Sequence, residues 1–114
     1  MQAKEFDEET KQMIIEFQVS QQQMQSVLMQ KESMKMQELE VDRALEELNA
    51  AKEKNAYKIV GGVMISKSVE DLKKDLTETK EALGIRMKSL EKTEERVNNK
   101  LKELQDKLKE VIQE

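Results

Sequence analysis

The chain has 114 residues, 39% of them charged and 37% hydrophobic, with a formal net charge of −4. Its aromatic residues are Phe6, Phe17 and Tyr57, and it has no proline, cysteine, histidine or tryptophan. This composition excludes a thick single core, disulfides and a basic, aromatic-lined nucleic-acid surface, and its wealth of Glu, Lys, Gln, Leu and Met predicts long helices.

The first predicted element is a helix over about 6–54. Steps of four and three place Met13, Phe17, Ser20, Met24, Val27, Lys31, Met34, Glu38, Val41, Leu45, Leu48 and Lys52 along one face. Most are apolar, as a heptad seam requires. Ser20, Lys31, Glu38 and Lys52 interrupt it. Ile14 flanks the seam near the start, and Ile15 and Val19 fall outside it. Met29 and Met36 share the outer row with Ile15. The stretch 18–26, QVSQQQMQS, is rich in glutamine, a good helix former.

A β-hairpin follows over 56–67. AYKIV and VMISK flank Gly61-Gly62, and two glycines satisfy the positive φ angles of a tight primed turn. Val60 then faces Val63 and Ile59 faces Met64. One face carries Tyr57, Ile59 and Met64; the other carries Val60, Val63 and Ile65. A lone two-stranded ribbon is marginal in water, and its edges leave backbone groups free to pair with another strand. Two apolar faces cannot both be covered by the helices leading away from it. The hairpin thus reads as a device for joining strands of other subunits; the plainer alternative is a turn that caps a helical hairpin.

The last predicted element is a helix over 69–112. Val69, Leu76, Leu83, Leu90, Val97, Leu104 and Val111 recur every seven residues. Leu72, Met87, Leu101 and Leu108 form the companion row, which shifts by one position near Gly84. The two arms are nearly equal in length, and folding them back pairs Leu45 with Leu76, Met34 with Met87, Met24 with Val97, Phe17 with Leu104 and Met13 with Leu108. The two residue numbers add to the same total each time, the signature of antiparallel pairing. In that register Ser20 faces Leu101 and Lys31 faces Leu90. The expected fold class is mostly α: an antiparallel two-helix coiled coil of about 70 Å, at 1.5 Å per residue, with one central hairpin, in a single domain of residues 1–114. A parallel homodimer would instead set Lys31 on Lys31 and Glu38 on Glu38.

The two equal arms, the glutamine-rich first helix, RALEEL before the junction, YKIVGGVMISK at the centre and EERVNNKLKELQDKLKE near the end together resemble the beta class of prefoldin. The resemblance covers nearly the whole chain; the alpha class would need two hairpins. It implies a hetero-hexamer of two alpha-class and four beta-class subunits, with the hairpins assembled into a β-barrel between subunits. It also implies tentacle-like arms whose tips hold unfolded clients and pass them to a group II chaperonin, without ATP. On this resemblance the assembly residues are those from Tyr57 to Lys67, among them Tyr57, Ile59, Val60, Gly61, Gly62, Val63, Met64 and Ile65.

The client-binding tips would be the far ends of both helices. The first offers Met13, Ile14, Ile15, Phe17 and Val19; the second offers Val97, Leu101, Leu104, Leu108, Val111 and Ile112. A coiled coil needs apolar residues only at its seam, so the excess over 14–19 should be exposed or loosely packed. Thr10 and Ser20 weaken the seam on either side of Phe17. Met29 and Met36 could add flexible, promiscuous contacts or be incidental surface. For 14–19 the competing reading is an extra packing contact.

Other function classes fare worse. With no histidine or cysteine there is no ready base, nucleophile or soft metal ligand, and the VGG stretch lacks the spacing and lysine of a phosphate-binding loop. No enzyme activity, cofactor or metal is expected. A structural coiled-coil adaptor with one folded partner is the alternative to a chaperone. The polar, acidic start MQAKEFDEET is unlike a signal peptide. No apolar run nears the ~20 residues of a membrane span, and absent cysteine fits a reducing compartment. A cytoplasmic location with no membrane partner is therefore expected.

Overall fold

The computed structural model describes residues 7–113, and the side chains of 7–112. Helix α1 (Glu8–Ala50) leads into strands β1 (Asn55–Val60) and β2 (Val63–Ser68), and helix α2 (Val69–Gln113) follows directly. Residue 6, where the sequence reading starts the first helix, lies outside the described residues.

Local chemistry sets the helix starts. The Thr10 amide donates to Asp7 Oδ1 at 2.7 Å, which makes Asp7 the N-cap of α1. Glu8 and Glu9 occupy its first turn, where the helix dipole favours acids. Ser68 plays the same part for α2, its Oγ accepting from the Asp71 amide at 3.1 Å.

The predicted first helix runs four residues too long. Residues 51–54 favour helix by propensity, yet α1 ends at Ala50. The Val69 amide donates to the Lys54 carbonyl at 2.8 Å, which ties the approach to β1 to the start of α2. Tertiary geometry overrides propensity there. Lys52 consequently leaves the seam and is exposed.

The described residues fall into two compact units, each with its own stretch of seam. The first combines α1 up to Lys31 with α2 from Ser89. Thr10, Ser20, Val27, Val97 and Leu104 are buried in it, with Met13, Phe17, Met24, Leu90, Leu101, Leu108 and Val111 half-buried around them. The second spans Glu32–Lys88. Met34, Val41, Val69, Leu72 and Leu83 are buried there, beside half-buried Leu45, Leu48, Leu76 and Met87. Apart from Lys52, every residue assigned to the seam is buried or half-buried. The two polar interruptions near the start are among the best buried, with Ser20 only 2% exposed. Short polar side chains fit where two helices come close, and among the described residues no buried side-chain nitrogen or oxygen lacks a partner.

Candidate functional site

Two places gather the exposed apolar side chains that the sequence reading singled out. The first is the hairpin. Its strands pair antiparallel as expected, Val60 opposite Val63, Ile59 opposite Met64, Lys58 opposite Ile65 and Tyr57 opposite Ser66. Gly61 and Gly62 form the turn at φ of +55° and +81°, a left-handed pair of conformations that glycine adopts without penalty. Tyr57, Ile59, Val60, Val63, Met64 and Ile65 are all between 43% and 71% exposed. Both faces of the ribbon are therefore apolar and open. Among the described residues the sheet has only these two strands, so both outer edges carry unpaired backbone groups. At the hairpin's base Ala56 and Tyr57 border an apolar groove of about 460 Å³ with Ala44, Leu48, Leu72 and Leu76.

The second place is the outer face of α1 in the first unit. Ile15 and Val19 are 52% and 47% exposed, and Met29 reaches 73%. Met36, in the second unit, is exposed as well. Ile14 is half-buried at the seam's margin, with Met13 and Phe17 within the seam. On α2, Val97 and Leu104 are buried, Leu101, Leu108 and Val111 half-buried, and Ile112 exposed. The residues predicted for the tips thus divide into an outward group (Ile15, Val19 and Ile112) and a group in or beside the seam that is half-buried or, for Val97 and Leu104, buried. Leu28, Leu39 and Ile85 are also exposed and escaped the sequence reading. Each lies one or two positions off a seam residue, so a count of off-seam apolar residues would have found them.

One polar contact in the first unit joins α1 to α2 through Lys31. Its Nζ donates to Glu94 Oε2 at 2.6 Å, with the side chains 18% and 30% exposed. That hydrogen bond, with added attraction from Glu94 and Glu91, holds the ammonium above its ordinary value. A long lysine reaches past the facing leucine to the next position of the companion row. Asp42 does the same for Lys80 at 2.7 Å, on an exposed flank of the second unit.

Among the described residues no group of acidic side chains is arranged to hold a metal ion, and no helix is long and apolar enough to cross a membrane.

Comparison with known proteins agrees with this architecture. A family model described as "Prefoldin subunit" matches residues 11–114. A prefoldin subunit beta of Archaeoglobus fulgidus is 34% identical over 101 residues, covering 88% of this chain and 87% of the relative. One from Thermococcus onnurineus is 36% identical over 89 residues, with 77% of each covered. The crystal structure of the prefoldin beta subunit from Thermococcus strain KS-1 superposes with a TM-score of 0.83 at 27% identity, covering 96% of each chain. Two long helices around one exposed hairpin, matched along nearly their whole length, place the chain in the prefoldin family of chaperones, where its likeness is to the beta subunits.

Proposed function

We propose that this chain is a building block of an ATP-independent holdase. In this reading its hairpin assembles with those of other prefoldin subunits, and the far ends of its helices hold unfolded polypeptides. The single observation that carries it is the ribbon with two open apolar faces and two bare edges. Burying one such side chain on assembly is worth about 1.5–3 kcal/mol, and each edge gains a strand neighbour.

The partners we propose are two alpha-class subunits for every four chains of the beta class, with the hairpins closing a barrel between subunits. Residues 1–114 act as one prefoldin-like domain, and Tyr57, Ile59, Val60, Gly61, Gly62, Val63, Met64 and Ile65 serve assembly. Clients meet Ile15, Val19 and Ile112 first. Met13, Ile14, Phe17, Val97, Leu101, Leu104, Leu108 and Val111 follow as the helix ends part. Several weak tips on one platform raise affinity through effective concentration. The clients then pass to a group II chaperonin in the cytoplasm, with no catalysis by this chain.

The test is suppression of aggregation of several unrelated unfolded proteins by the assembled particle. Ile15→Asp with Val19→Asp should remove most of the protection while native mass spectrometry shows the particle intact. Protection that survives both charges places the client site elsewhere, and protection confined to a single folded partner makes the chain an adaptor instead.

A further inference from the structure

The Lys31–Glu94 contact is unlike the other ion pairs among the described residues. Lys67–Asp75, Lys80–Asp42, Lys11–Glu8 and Lys107–Glu103 are all 40% or more exposed on both sides. Lys31 and Glu94 instead stand in line with seam residues. Lys31 lies seven residues from Met24 and Glu38 on α1, and Glu94 lies seven from Met87 and Leu101 on α2. Replacing such a half-buried pair by well-packed apolar residues is often neutral or stabilising, so its presence is weak evidence for a gain in stability. Its best-attested use is to specify a partner.

We infer that Lys31 and Glu94 specify which helices pair, holding α1 against α2 and excluding the pairing of like helices from two copies. The remaining seam chemistry discriminates poorly. Val27, Met34 and Val41 on α1, and Leu83, Leu90, Val97 and Leu104 on α2, suit many apolar partners. Parallel, in-register pairing of two α1 helices would set Lys31 on Lys31 and Glu38 on Glu38. The corresponding α2 pair would set Glu94 on Glu94. Like charges at a seam are repulsive and leave both groups desolvated without a partner. The α1–α2 pairing is the one that joins the two opposite charges, at 2.6 Å. In the particle of the proposed function, on which this step rests, several copies of the chain meet at high local concentration, where such discrimination is needed most.

The test uses the full chain, which has no cysteine of its own, with Glu38→Gln in every version, the parent included, so that the Glu38 clash does not mask the one under test. Val27→Cys, at a buried seam position, reports parallel α1 pairing as a disulfide-linked dimer under mild oxidation. This dimer should be absent or minor with Lys31 and Glu94 in place. It should become a major product when Lys31→Leu and Glu94→Leu are added, with a melting temperature at or above that of the V27C parent. The swapped pair Lys31→Glu with Glu94→Lys should return the dimer to the parent level. Three results would overturn the inference: no rise in the double-leucine chain, an equal rise in the charge-swapped chain, or a melting temperature below the parent's in the double-leucine chain. The last would make the pair an ordinary stabilising contact.

Discussion

Ile59 and Met64 lie directly opposite each other across the hairpin, and both are more than 60% exposed. A cross-strand pair of this kind contributes to a sheet through side-chain contact, yet here the outer surface of the pair is left bare. Ile59→Lys should therefore change the stability of the isolated chain by no more than about 0.5 kcal/mol. It should weaken association with other prefoldin subunits by tenfold or more, since roughly 1.5–3 kcal/mol of burial is forfeited. Circular dichroism melts and native mass spectrometry check the two halves of this prediction.

The three glycines should answer differently to the same substitution. Gly61 and Gly62 have positive φ and open space around them, so Gly62→Ala meets a backbone penalty and no clash. The cost is on the order of 1–2 kcal/mol, read as loss of the Ile59–Met64 contact by nuclear magnetic resonance. Gly84 sits inside α2, again with open space around it. Gly84→Ala should raise stability by about 0.5–1 kcal/mol, seen as a higher denaturation midpoint.

Two methionines two residues apart make a matched pair. Met34 is 3% exposed in the seam and Met36 faces outward. Met34→Ala should cost about 2–3 kcal/mol in urea unfolding, the low end for a buried large-to-small change because the seam is thin enough to relax. Met36→Ala should stay within about 0.5 kcal/mol.

Asp7 accepts hydrogen bonds from Thr10, which hold its carboxyl below the ordinary value of 3.8. A depressed folded value means that its contribution is complete above that ordinary value. It is lost as the pH falls through the lower folded one. Amide exchange at Thr10 and Lys11 should accelerate selectively in acid. Asp7→Asn, which keeps a capping oxygen, should remove that acid dependence.

Lys31 behaves in the opposite sense. The hydrogen bond to Glu94 raises its value above 10.5, so its contribution is complete below that ordinary value and disappears as the pH rises through the raised one. Thermal melts of the wild type should therefore show a loss of stability at strongly alkaline pH that is diminished in the double-leucine chain.

The fold was legible because a heptad seam and a glycine turn are short-range signals. The spacing of Val27, Met34 and Val41, and of Leu83, Leu90, Val97 and Leu104, named most of the seam before any coordinates. With Gly61-Gly62 taken as the turn, Val60 falls opposite Val63 and Ile59 opposite Met64, as they do in the hairpin. The end of α1 was not legible, because residues 51–54 read as helix by propensity, while the bond from Val69 to Lys54 that ties this stretch to α2 joins residues brought together only by the fold. Glu94 was missed because an apolar pattern treats a charge as a gap. A check for opposite charges one helical turn beyond the facing seam position would have paired it with Lys31. Of the candidate surfaces, the outward setting of Ile15 and Val19 followed from the register. Phe17, Val97 and Leu104 sit in the seam to which their spacing assigned them, Phe17 half-buried and the other two buried.

A seam one side chain deep also governs how the molecule comes apart. Cohesion accumulates tooth by tooth along each unit's stretch of seam, whose described core is a file of single side chains. Releasing the outermost turns, with Thr10, Met13 and Leu108, forfeits only those teeth and leaves the rest fastened. Replacing Met13 and Leu108 by alanine should thus subtract a fixed increment and leave the rest of that stretch folded.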